Sequence, residues 1–142
     1  MKDHIEKALK FHKENSGTGK IFQFKLLDYK DGFLKLEGSF PDETLNPDGS
    51  VQGGMMTSML DDVTALLLVI ESKGTIYPSS VNLHSHHHRP LFKSNVTATA
   101  KLIKKGKTIA TVQGSIFDKD EKLAATLMHT IFIFNRSERF KK

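Results

Sequence analysis

The chain has 142 residues, with 21 Lys and Arg against 16 Asp and Glu and a formal charge of +5. That length suits a single domain spanning 1–142, and the absence of cysteine excludes a disulfide framework or a thiolate metal site. The charged start, Met1-Lys-Asp-His-Ile-Glu-Lys7, does not fit a signal peptide. The longest unbroken apolar run, Ala65–Ile70, is too short to cross a bilayer. A cytoplasmic protein with no membrane partner is expected. Basic residues cluster only at Lys104-Lys105-Gly106-Lys107 and in a basic tail, 136–142, without the interleaved aromatics of a nucleic-acid surface.

In chain order, Ile5, Ala8, Leu9 and Phe11 recur at helical spacing and predict an N-terminal helix within 1–16. Ser16-Gly-Thr-Gly19 reads as its end. Ile21–Tyr29 and Phe33–Phe40 read as strands joined at Asp31-Gly32, a hairpin signal. Pro41–Gly54 is a polar loop rich in turn residues. Met55–Lys73 has the length and all-round apolarity of a buried helix. Four strand-like runs follow: Ser79–Arg89, Asn95–Lys104, Thr108–Asp118 and Lys122–Asn135. An α+β fold follows from this order: about five to six antiparallel strands curved around one long central helix, plus the N-terminal helix.

The loop and the long helix meet in Asn46-Pro-Asp-Gly-Ser-Val-Gln52-Gly53-Gly54, then Met55 to Ile70. Two carboxylates, Asp61 and Asp62, sit inside this apolar stretch. No Lys, Arg or His occurs from Leu36 to Ser72, so neither acid has a cationic neighbour in sequence. Burying an unpaired carboxylate is costly, and chemistry is one reason to do it. Adjacent helix positions point about 100° apart, so only one of the two can serve a given site.

The pattern Asn46, Gly49, Gln52-Gly53-Gly54 and Asp61 resembles that of PaaI-type hotdog-fold thioesterases. So does Ser80-Val-Asn-Leu-His84 running to Arg89-Pro90. The similarity extends over roughly Phe22 to Phe134. It departs at one position, where the family's usual His is Gln52, which cannot shuttle protons but can hydrogen-bond through its amide. The resemblance implies the hotdog fold and hydrolysis of an acyl-CoA thioester to free acid and coenzyme A. A non-catalytic acyl-CoA binder or sensor is the alternative. It implies that the Gly53 N–H polarises the carbonyl and that Asp61 of a partner subunit acts as base or nucleophile. Asn46, Gln52 and Ser80 would hold water or the carbonyl, and Gly54, Met55, Val81 and Asn82 would contact substrate. Met55, Met56 and Met59 are candidate walls of the acyl pocket. Asp62 is expected to be a structural or interface acid. No cofactor is expected, since coenzyme A is part of the substrate. Self-association as a homodimer, and then a dimer of dimers, is expected.

The run His84-Ser85-His86-His87-His88 remains. On a strand, His84, His86 and His88 share one face and His87 takes the other. His-x-His-x-His can bind a metal, but a polar interface strand is the plainer reading, with a pH-sensitive dimer as a second one, and no functional metal is expected.

Overall fold

The computed structural model describes residues 2–135 and Ser137, so the expected basic tail lies, apart from Ser137, outside the described residues. Two helices come first, α1 (Lys2–Asn15) and α2 (Gly17–Phe22). Strands β1 (Lys25–Lys30) and β2 (Phe33–Phe40) follow, then a loop with a short 3-10 turn, then α3 (Gly53–Glu71). Strands β3 (Ile76–His87), β4 (Ser94–Lys105), β5 (Ile109–Phe117) and β6 (Leu123–Asn135) complete the chain. All six strands form one antiparallel sheet in the order β1-β2-β4-β5-β6-β3, which leaves β3 at an edge. One long helix lies against this sheet, the hotdog arrangement that the resemblance implies.

α2 departs from the sequence reading. Ser16 does not only end α1. Its Oγ accepts the Gly19 N–H and caps a second short helix that takes up Ile21 and Phe22, both expected in a strand. A helix this short does not stand on its own propensity. Phe22, fully buried beside Phe24 and Phe40 with ring centroids 5.8 Å apart, holds it in place. Gln23 closes it in the left-handed region at φ 52°, and the first strand starts only at Lys25.

β2 shows alternation as expected. Leu34, Leu36 and Phe40 are buried while their neighbours are half-exposed, so one face of the sheet meets the core. α3 lies close against that face. A Cβ at Gly114 of β5 would sit 3.0 Å from both Leu60 and Thr64, so glycine there permits the close approach. By length and hydropathy α3 would pass for a membrane span. In this fold Met56, Met59, Leu60, Val63, Leu67, Leu68 and Ile70 are buried within the core instead. Met56 and Met59 are therefore core residues and not pocket walls. One flank of α3 stays half-open, through Thr57, Ser58, Asp61, Asp62, Ala65 and Val69.

Candidate functional site

Two clusters of polar groups lie along that flank. The first is at the start of α3. The loop before it is fixed by its own hydrogen bonds. The Asn46 N–H donates to the Ser50 carbonyl at 2.7 Å and the Asn46 Nδ2 to Ser50 Oγ at 3.0 Å. Asn46 thus spends its amide N–H on the turn. Gln52 is the N-cap, and its Oε1 accepts the Met55 N–H at 2.9 Å. Its side chain folds over Gly54, where a Cβ would meet Oε1 at 2.8 Å. The Gln52 side-chain oxygen is therefore occupied by capping. Helix starts leave their first N–H groups unpaired and partly positive, and Gly53 and Gly54 sit at that point. Over Gly53 lies the His87 imidazole, with Cε1 3.7 Å and both nitrogens 3.9 Å from where a Cβ would be. Ser85, on the same inward face of β3, meets Thr57 of α3 at 2.9 Å.

The second cluster is centred on Asp61, two turns further along the helix. Ser80 Oγ lies 3.4 Å from Asp61 Oδ1 and 2.7 Å from His129 Nε2. His129 Nδ1 lies 2.6 Å from Thr64 Oγ1, and the Thr64 hydroxyl donates to the Leu60 carbonyl at 2.7 Å. Burial pushes the His129 pKa down to about 4, so the imidazole is neutral and donates from one ring nitrogen while accepting at the other. The Asp61–His129 separation of 3.7 Å is therefore not an ion pair at neutral pH. Asp61 is half-buried, and its carboxyl is raised above the usual range by desolvation first and by the Asp62 charge second. A carboxylate in such a setting is a stronger base. Ser80 Oγ donates to Asp61 Oδ1 at 3.4 Å, which offsets part of that rise.

His129 was not among the residues expected from sequence. It sits on β6, opposite Leu83 of β3, at an inward position between buried Leu127 and Ile131. Its one sequence signal is that register: a polar residue on the apolar face of an alternating strand. Of the other expected residues, Ser80 and not Ser79 reaches Asp61. Asp62 turns to α1, with Oδ2 3.3 Å from His12 Nε2 though not in hydrogen-bond geometry. Gly54 and Met55 stand at the helix start. Val81 lies at the β3 bulge and is exposed, and Asn82 pairs with Thr130 on the outer face, so neither joins Asp61 or Gly53. His84, His86 and His88 also point outward. His84 and His86 touch through their Nε2 atoms at 2.9 Å, and His88 bonds Thr126. Among the described residues, no group of three or more His, Asp or Glu converges in metal-binding geometry.

A family model described as Thioesterase superfamily matches residues 48–125, just over half of the chain, from the Asn46 turn through α3 to β6. The chain belongs to the thioesterase superfamily. By family it is a hydrolase, a thioesterase or esterase. A relative from Saccharolobus solfataricus, named an esterase, is 23% identical over 141 residues, 99% of this chain and 100% of that protein. The fold matches a Haemophilus influenzae thioesterase at a TM-score of 0.84 and 18% identity, over 96% of this chain and 94% of that one. It also matches a Ralstonia eutropha phenylacetic acid degradation-related protein at a TM-score of 0.80 and 28% identity, over 91% and 98%. A Streptococcus mutans protein of the same fold, solved bound to acetyl-CoA, matches at a TM-score of 0.70 and 14% identity, over 79% and 89%.

Proposed function

We propose that this thioesterase-superfamily member hydrolyses acyl-CoA thioesters to a free acid and coenzyme A. The observation that carries the reading is the linked set Asp61–Ser80–His129–Thr64, a carboxylate with raised basicity beside a hydroxyl held in place by a buried imidazole. A water bound between Asp61 and Ser80 would give its proton to Asp61 and attack the thioester carbonyl carbon. The oxyanion would form against the Gly53 N–H, where the helix start offers an unpaired donor. Collapse would break the C–S bond and release the thiolate, which takes a proton from solvent, while Asp61 returns the proton it took to solvent. Water and substrate supply every atom, so the reaction needs no bound cofactor. The acetyl-CoA bound to the Streptococcus mutans structure supports a coenzyme A ester as substrate.

Gly53 and Asp61 are eight helical residues apart, or ~12 Å along the axis. One carbonyl cannot touch both in the same chain. The site is therefore proposed to form between two copies, with Gly53 of one facing Asp61 of the other. The open edge at β3 and the half-open flank of α3 suit that pairing.

One observation favours a second reading, a non-catalytic acyl-CoA binder. Position 52 holds no titratable group, and its side-chain oxygen is spent on capping. Thiol release from a panel of acyl-CoAs, with wild type and Asp61→Asn side by side, separates the two. Turnover lost in the variant with binding retained is the expected result. Tight binding with no turnover in the wild type would establish the binder.

A further inference from the structure

A groove of about 610 Å³ runs between α1 and the second half of α3, with the first residues of β3 as its floor. That volume is in the range of pockets that enclose a small molecule. Ala8 and Phe11 form the α1 wall, Ala65 and Val69 the α3 wall, and Ile76 and Tyr77 the floor. Polar groups stand at its ends: the Asp62–His12 pair at one and Lys73 at the other.

One end of the groove reaches residues next to the reaction centre in sequence. Asp62 and Pro78 line it, and they are the neighbours, by one and two residues, of Asp61 and Ser80. Ala65 is four residues after Asp61, so it lies one turn along the same face of α3. From Asp62 to Ile70 the helix advances ~12 Å, which is the length of wall it offers. A carbonyl held beside Asp61 and Ser80 has this groove as its apolar continuation, and coenzyme A leaves toward Gly53 of the other copy.

We infer that the α1–α3 groove binds the acyl group, and that the enzyme acts on extended apolar acyl chains rather than acetyl-sized ones. This rests on the hydrolase reading above. Ala65 is the gate. Its methyl is a small side chain on the groove wall one turn from Asp61, where a bulky side chain would narrow the groove. α1 supplies the opposite wall, so chain-length preference depends on the N-terminal helix as well as on the long one.

The test is kcat/KM on acetyl-, butanoyl-, octanoyl-, dodecanoyl- and phenylacetyl-CoA, for wild type, Ala65→Phe and Ala8→Phe. Wild type is expected to gain about fourfold per added methylene until the groove is full. Ala65→Phe is expected to lose at least thirtyfold on octanoyl- and dodecanoyl-CoA and less than threefold on acetyl-CoA. Ala8→Phe, from the other wall, should repeat that pattern. Phenylacetyl-CoA outpacing octanoyl-CoA would overturn the extended chain in favour of an aryl group. Wild-type rates indifferent to chain length, or long-chain rates untouched by Ala8→Phe, would overturn the groove and leave the hydrolase standing. Absence of turnover on every substrate would remove both.

Discussion

The two ends of the half-open flank of α3 are built in opposite ways. At the Gly53 end the backbone donors and their supports come from one contiguous loop, with His87 of β3 lying over them, and are held by turn and capping hydrogen bonds. At the Asp61 end four side chains come from three elements, α3, β3 and β6, and the central one, His129, is 1% exposed. The first end presents backbone donors, and its side chains mostly hold the backbone in shape. The second presents side-chain chemistry, and its protonation states are set by burial. Damage at the first should cost binding and carbonyl activation with little stability. Damage at the second should cost proton transfer, stability, or both.

The largest expected effect is at Asp61. Asp61→Asn keeps the shape and removes the base, so kcat should fall roughly 10²- to 10⁴-fold, while thermal unfolding moves little. Gly53→Val comes next. A Cβ at Gly53 meets nothing closer than the exposed His87 ring at 3.7 Å, so folding should survive, as circular dichroism would verify. The approach to its N–H is blocked, however, and the loss in kcat/KM should be about 10²-fold, the scale of a lost oxyanion donor.

His129 sharpens the contrast through pH. Its pKa is lowered from the ordinary 6.5 to about 4 in the folded chain. Between those values the unfolded chain binds more protons, so stability is fully present above pH 6.5 and is lost as pH falls toward 4. The loss is on the order of 3 kcal/mol and is read from denaturant midpoints across that window. His129→Gln should flatten this pH dependence. At neutral pH it should cost about 1–3 kcal/mol, because Thr64 and Ser80 lose a buried partner. An unchanged pH slope in the variant would mean that His129 is not the titrating group.

Gln52→Ala gives the smallest effect. It removes an N-cap bond worth about 1 kcal/mol, or about 3 °C in melting temperature for a chain this size. Turnover should fall less than tenfold. A collapse comparable to that of Asp61→Asn would show that the Gln52 amide holds substrate rather than the helix start.

The same contrast explains what could be read from sequence. The Gly53 end is contiguous, so Asn46, Gln52, Gly53 and the spacing to Asp61 were visible as a pattern. β2 was located residue for residue, because Phe33–Phe40 alternates and is bounded by Gly32 and Pro41. His129 was hidden for a physical reason. It is 68 residues from Asp61 and meets it only through the β3–β6 register, which strand periodicity alone cannot supply. α2 was missed because a capping Ser and two glycines serve equally as a stop and as a start. Asn82 is assigned to substrate by the resemblance, yet the bulge between Ser80 and Asn82 places it outside. A one-residue register change moves a side chain to the other face of a sheet.

The most direct test of the account is subunit complementation. Gly53→Val and Asp61→Asn chains should each be nearly inactive alone. Unfolded together, refolded and assayed for thiol release, they should recover about a quarter of the wild-type rate, since half the dimers would be mixed and each mixed dimer would hold one intact site. Recovery would establish that Gly53 of one copy works with Asp61 of another. A mixture no more active than its parts would contradict the shared site and, with it, the division of labour along α3.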